Sequence, residues 1–348
     1  MHTRSLIRRP ASAIRCVRIA HRQHLGFDVL FYLRASVRVA VLLAGVLFAT
    51  PPAIAQPSPV IRIGVGPNDQ ALPLVYADKA GLFAKAGLNV EVSSQANTSI
   101  EAAAISGGSL DIAAGSGLSA VMLVAKGLPF TIVGNLAFYS SEKPDVGLLV
   151  GTASAIQSPK DLEGGTLGTT GLEDMNSIAT RQWLEQRGVD TSKIHYIEIP
   201  ASASLSAIEQ NRISATTLYE PFYSAAVASG KVRVLGHPWD SISPHFSTGV
   251  LFAGAKWATD HRELVTRVLR VIQAAATYAG YHENDLVSYT AQFTGLDPNV
   301  VRNIHHPERG VAIVPSDLQP LIDMAVRAKM ISSAMPAQQM ICSCALSR

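Results

Sequence analysis

The 348 residues carry 29 Lys and Arg against 26 Asp and Glu, but the excess of +3 sits in the first 55 residues, where eight Arg face one acid, Asp28. From Gln56 onward, 21 basic and 25 acidic residues give −4, which disfavours a nucleic-acid partner held by a broad basic face. With 48% apolar and 16% charged residues the chain can bury a real core, and Cys16, Cys342 and Cys344 are too few for a disulfide framework.

The segment 1–55 reads as a secretory signal. An uncharged apolar run at 39–49 follows Arg34 and Arg38 and leads to Ala53-Ile-Ala55, which predicts cleavage after Ala55 and a periplasmic mature protein. That run is too short to span a bilayer, which needs about 20 residues. An uncleaved anchor and an Arg-rich transit peptide are the alternatives. The apolar core and the Ala-x-Ala site argue against the transit peptide. Residues 1–28 exceed what a signal needs, leaving room for a later start near Val29. Arg8-Arg9 stands too far ahead of the apolar core for a twin-arginine signal.

The 293 residues after the leader suggest two domains. Strand patterns alternate with helix patterns: strand at 60–65, helix at 72–86, strand at 87–92, helix at 98–106 stopped by Gly107-Gly108, strand at 111–114, helix from 116 to 127, strand at 130–133. This βαβ series predicts an α/β fold with a mostly parallel sheet covered by helices. A second series follows, with strands at 148–150, 166–168, 195–199, 215–218 and 232–235, and helices near 159–162, 174–187 and 202–210. A strand at 249–253 and helices at 260–281, 283–293, 298–304 and 316–330 complete the chain. Asp297-Pro298 is a helix start, and Ser316 with Gln319 resembles a capping box. The order predicts lobe 1 from 56–143 plus 245–348 and lobe 2 from 144–244, with linkers near 140–147 and 239–248. A cleft crossed twice by the chain is a hinge.

Several motifs, taken in order, resemble one family over nearly all the mature chain. The run Ala77-Asp-Lys-Ala-Gly-Leu-Phe-Ala-Lys-Ala-Gly-Leu-Asn-Val-Glu-Val92 is followed by Gly107-Gly-Ser-Leu-Asp111, Gly115-Ser-Gly117, Ala125-Lys-Gly127, Asp161-Leu-Glu-Gly-Gly165, Tyr219-Glu-Pro221 and Leu318-Gln-Pro-Leu-Ile-Asp323. Together they are similar to the periplasmic solute-binding proteins for sulfonates, nitrate and thiamine-pyrimidine precursors. The resemblance implies a type II periplasmic-binding-protein fold that captures a small organic or inorganic anion (sulfonate, nitrate, carboxylate or pyrimidine-type). It also implies a monomer serving an ABC permease and ATPase at the membrane. An enzyme on the same fold, acting on a thiamine or menaquinone precursor, is the alternative. Ser214 departs from the family, which commonly repeats there the Asp of the first lobe. The position reads as structural.

In open α/β sheets, ligands sit beyond the carboxyl ends of strands. The loops expected there contain Asn68, Asp69 and Gln70, then Ser116 and Gly117, Tyr139, Thr169-Thr170-Gly171, and Tyr219-Glu220. Ser116 and Thr169 or Thr170 precede helical runs, so amides and hydroxyls at positive helix ends can hold an anion without an Arg. Each has a structural alternative. Ser116 and Thr170 can be caps, Asn68-Asp69 a turn, Glu220 a first-turn acid, and Tyr139, Tyr219 and Tyr223 core or rim. Trp183 reads as packing.

No catalytic or cofactor pattern emerges. Ala114 and Leu118 flank Gly115-Ser-Gly117, so the nucleophile elbow is broken, and there is no phosphate-binding Gly-x-x-x-x-Gly-Lys loop. His305-His306 are adjacent and face apart on a helix, which argues against a metal. Cys342-Ser-Cys344 reads as an exposed tail, with a terminal redox pair as the alternative.

Overall fold

The computed structural model describes residues 59–66, 69–279, 283–294, 296–304 and 306–346. The predicted signal and its cleavage site lie outside them, as do Asn68, the Asp69 side chain and His305. Among the described residues no helix is long and apolar enough to cross a membrane.

Two mixed sheets carry the fold. The first is built from β1 (Val60–Val65), β2 (Asn89–Ser94), β3 (Ile112–Ser116), β4 (Phe130–Ser140), β10 (His245–Gly254) and β11 (Glu308–Arg309) in the order β11-β4-β10-β3-β1-β2. The second contains β5 (Val146–Gly151), β6 (Thr166–Thr169), β7 (His195–Glu198), β8 (Ala215–Tyr219) and β9 (Val232–Gly236) in the order β7-β6-β8-β5-β9. The chain passes between sheets twice, after β4 and before β10.

The expected parallel majority is corrected. β1 pairs in parallel with β2 and β3, and β6 with β7 and β8, but β10 runs antiparallel to β3 and β4, and β5 antiparallel to β8 and β9. The strands that carry the chain between sheets enter from the opposite direction, which no local pattern encodes. The same pairing makes β4 and β10 much longer than expected, since they pair along almost their whole lengths.

Alternation along the strands separates two faces. Ile61, Ile63, Val65, Leu251 and Ala253 pack with Val265, Val268, Leu269 and Ile272 of α9 (Arg262–Ala279). Val250 and Phe252 face the other way, onto Leu318, Leu321 and Ile322 of α12 (Pro315–Arg327). In the second sheet Trp183 is buried among Leu148, Val150 and Leu167, as its spacing suggested, with the Arg187 guanidinium 3.7 Å from its ring centre.

The helix expected over 72–86 is two pieces, α1 (Leu72–Lys79) and α2 (Leu82–Lys85), because Gly81 between them takes φ +65°. α3 (Thr98–Ser106) keeps its predicted bounds, with Asn97 Oδ1 accepting from the Ile100 N–H at 3.0 Å. The expected Ser316/Gln319 box is replaced at α12. There the Asp317 carboxylate accepts from the Val314 N–H at 3.1 Å, while Gln319 bonds Asp323 and the Ala337 N–H. Helices α4 (Gly117–Ala125), α5 (Met175–Glu185), α6 (Ala201–Glu209) and α7 (Phe222–Ala228) follow their sheet strands; α8 (Ala255–Asp260), α10 (Glu283–Thr294) and α11 (Pro298–Val301) complete the set.

Each sheet is tied by one matching clamp. In the first, Asp111 donates its N–H to the Arg62 carbonyl at 2.8 Å and accepts the Arg62 N–H at 2.8 Å, while its carboxylate also takes two guanidinium bonds. In the second, Ser214 donates its N–H to the Thr166 carbonyl at 2.7 Å, and its hydroxyl accepts the Thr166 N–H at 3.2 Å. Ser214 is therefore structural, as its departure from the family pattern suggested.

The C-terminal segment is not the exposed tail expected of Cys342-Ser-Cys344. The two cysteines form a disulfide and are 9% and 3% exposed, packed on the first core. Residues beside them join β4: the Ile132 N–H donates to the Met340 carbonyl and the Cys342 N–H to the Ile132 carbonyl, both at 2.8 Å.

Candidate functional site

A cavity of about 680 Å³ opens at the carboxyl ends of β1, β3, β6 and β8, where both sheets contribute to its wall. Gly66 and Gln70 follow β1, Ser116 ends β3, Thr170 follows β6, Tyr219 ends β8 and Glu220 follows it. The starts of α3, α4 and α5 reach the same wall through Asn97, Ser116 and Asp174. Their positive ends thus border one space.

The structure brings Gln70, Ser116, Thr170, Tyr219 and Glu220 together on that wall. Their chemistry is partly committed elsewhere. The Ser116 N–H donates to Thr98 Oγ1 at 3.1 Å, so this amide is already used within the protein, while the Ser116 hydroxyl makes no cap bond. Thr170 Oγ1 donates to the Asp174 carboxylate, whose other oxygen caps α5 by accepting from the Ser177 N–H at 2.8 Å. Burial pushes the Asp174 carboxyl up against the opposing effect of these bonds. Glu220 is 3% exposed and accepts from the Ser224 N–H at 3.3 Å and hydroxyl at 2.5 Å, so it also serves the start of α7. Tyr219 is half-buried, and burial followed by the Asp174 charge raises its phenol.

Four predicted residues lie off the wall. Tyr139 belongs to β4 rather than a loop; it is fully buried, donates its hydroxyl to Asp240 at 2.6 Å, and meets Trp239 edge-on. Burial and that bond push its phenol up. Thr169 is 1% exposed and donates to the Gly171 carbonyl at 3.3 Å. Gly117 serves close packing: a Cβ there would lie 2.8 Å from Leu321 Cδ1 and 3.1 Å from the Ser247 carbonyl oxygen. Gly171 has a negative φ, and a Cβ there would meet only an ordinary contact with Asp174 at 3.4 Å.

The sequence reading missed other wall residues. Asn176 is 4% exposed and accepts the Trp239 indole N–H at 3.0 Å. Glu101, in the first turns of α3, is fully buried yet lies on the wall, and neither carboxyl oxygen has a hydrogen-bond partner among the described residues. Burial raises its pKa to about 8. A signal was present: Glu101 lies four residues before Ile105, which packs on the core, so both share the inward helix face. The wall carries the acids Glu101, Asp145, Glu173, Asp174 and Glu220 against one base, Lys126. Among the described residues no His, Cys, Asp and Glu group is arranged to hold a metal ion.

The comparisons agree with this architecture. Over 199 residues the chain is 23% identical to a putative aliphatic sulfonates-binding protein of Bacillus subtilis (strain 168), a match covering 52% of this chain. The chain spans 58% of the length of that curated relative. The crystal structure of the periplasmic aliphatic sulphonate-binding protein SsuA from Escherichia coli superposes with a TM-score of 0.71 at 20% identity, covering 82% of this chain and 98% of that one. A Candida albicans protein described as having the generic periplasmic-binding-protein fold gives a TM-score of 0.64 at 11% identity, covering 83% and 98%. The NMT1/THI5 like family model matches residues 68–284, more than half of the chain. On that match, and with two mixed sheets sharing one cavity at their strand ends, the chain belongs to the NMT1/THI5-like family and has the periplasmic-binding-protein fold.

Proposed function

We propose that the protein is an extracytoplasmic solute-binding protein that captures a small solute with an anionic head and delivers it to an ABC permease and ATPase. The observation that carries this reading is the cavity, lined by strand ends and helix starts from both sheets. Three helix starts facing one space favour a sulfonate, carboxylate or similar oxyanion. The relatives named for sulfonate binding support the class of solute. Export fits the apolar run ahead of Ala53-Ile-Ala55 and the disulfide, a bond that persists in oxidising compartments.

The two units, 56–143 with 245–348 and 144–244, close on the solute about the paired crossings. A thermal-shift screen of sulfonates, nitrate, carboxylates and pyrimidines tests the reading, since a ligand at 100 times its dissociation constant stabilises by about 2.7 kcal/mol. Binding should also lower the radius of gyration in solution scattering of the monomer. A screen with no stabilising compound sinks the reading, and an unchanged scattering profile at saturation sinks its closure.

A further inference from the structure

Resting on the solute-binding reading, we infer that the solute carries a protonated nitrogen as well as its anionic head, and that Glu101 is the carboxyl that receives this nitrogen. A Cβ on Gly115 would lie 2.9 Å from Glu101 Oε2 and 2.7 Å from Thr98 Oγ1. β3 thus leaves out a side chain where this carboxyl sits. A buried carboxyl without a hydrogen bond is strongly destabilising, and a fold that clears space for one at a cavity wall has placed it there to meet something.

The second sheet shows what a purely structural residue looks like at this position. α3 leads into β3 and α6 into β8, strands that pair in parallel with β1 and β6, and Glu101 and Ser204 are each the fourth residue of their helix. Ser204 is 1% exposed and donates to the Pro200 carbonyl at 3.3 Å, so it is satisfied within its own helix. Glu101 has no such outlet among the described residues.

Charge sets the kind of partner. Along the elements packed on α3, Asp111 next to β3 is paired with Arg62, Lys126 lies at the far end of α4, and His245 stands at the start of β10. Across the cavity the other ionisable groups among the described residues are Asp145, Glu173, Asp174, Tyr219 and Glu220. A solute with negative charge alone meets a wall of five acids and one lysine. A zwitterion sets its oxyanion at the helix starts and its ammonium against Glu101. On binding near neutral pH the carboxyl releases its proton to solvent, and the ammonium N–H groups then donate to the carboxylate.

The test uses the whole mature protein and matched probes: linear ω-aminoalkanesulfonates and ω-amino acids against alkanesulfonates and carboxylates of the same chain length. The wild type should prefer the amine-bearing member roughly tenfold or more, the scale of a charge-assisted hydrogen bond. Glu101→Gln should erase that preference, so that the two members of each pair bind alike. Calorimetry of the wild type in buffers of different ionisation heat should show about one proton released per amine bound below pH 8. That readout needs no variant and does not move if Glu101 is merely structural. If amine-free members bind as well as their partners, or no proton is released, the inference is overturned and the solute-binding reading stands. If no compound in either series binds, the inference falls, and the nitrate and pyrimidine arms of the screen decide the solute-binding reading.

Discussion

Arg62 and Thr166 hold the same place in their two sheets, yet one is clamped by a carboxylate and the other by a hydroxyl. The clamp needs a short side chain with an oxygen acceptor at positions 111 and 214, and Asp and Ser each supply one. The negative charge is kept only where a cation answers it, through the Arg62–Asp111 pair at 2.9 Å. Position 101 reverses that rule. Its counterpart Ser204 is neutral and satisfied, while Glu101 is acidic and unanswered among the described residues. Within one repeated frame, the carboxyl beside a cation stabilises the scaffold, and the carboxyl without a partner among the described residues stands at the cavity.

The largest test of the comparison is titration of Glu101. Its folded pKa, about 8, stands above the usual 4.5, so the protonated carboxyl's contribution to stability is fully present below pH 4.5 and is lost as pH rises toward 8. Glu101→Gln removes this loss, and the stability difference between variant and wild type should grow by on the order of 4 kcal/mol between pH 4.5 and 9. Denaturant melts across that range check it, and a difference independent of pH would show the carboxyl to be solvated. Next in size, Asp111→Ala should cost about 2 to 3 kcal/mol, because a backbone N–H and a half-exposed guanidinium lose their acceptor together. Copying the second unit with Arg62→Thr and Asp111→Ser should recover part of that loss. A double variant no more stable than Asp111→Ala would mean that the two clamps are not equivalent. The smallest effect is Ser214→Ala, about 1 kcal/mol for one neutral hydrogen bond, read from the midpoint of the same melts.

What was legible in the sequence follows from the range of each interaction. The bounds of α3 came from Asn97 and Gly107-Gly108, which act within one turn, and the start of α11 from Asp297, whose carboxylate accepts from the Asn299 N–H at 2.7 Å. The lengths of β4 and β10 were not legible, because residues more than a hundred positions apart set them. Tyr139 was placed in a loop for that reason and turned out to be core. Ser116, Thr170 and Tyr219 were found because strand ends predict cleft positions. Glu101 was missed because an acid near a helix start looks like ordinary dipole complementation, and the glycine that makes room for its carboxyl, Gly115, lies on another element. Gly117 was expected at the ligand because it follows a strand end, where a residue without a side chain permits close approach. The approach is real, but it is made by Leu321 and the β10 backbone.

The strand-like contact at Ile132 protects the outer side of β4 in three short pieces. The Met340–Cys342 segment covers Ile132, Val311 takes the Asn135 N–H at 3.0 Å, and β11 pairs with Ala137 and Phe138. Any one of them is too short to offer a neighbouring molecule a template, whereas the bare flank of an eleven-residue strand is a ready site for intermolecular pairing. The residues around the disulfide therefore act as a guard against self-association, and a version cut before Met340 would be prone to clump through β4 even if its cavity were intact.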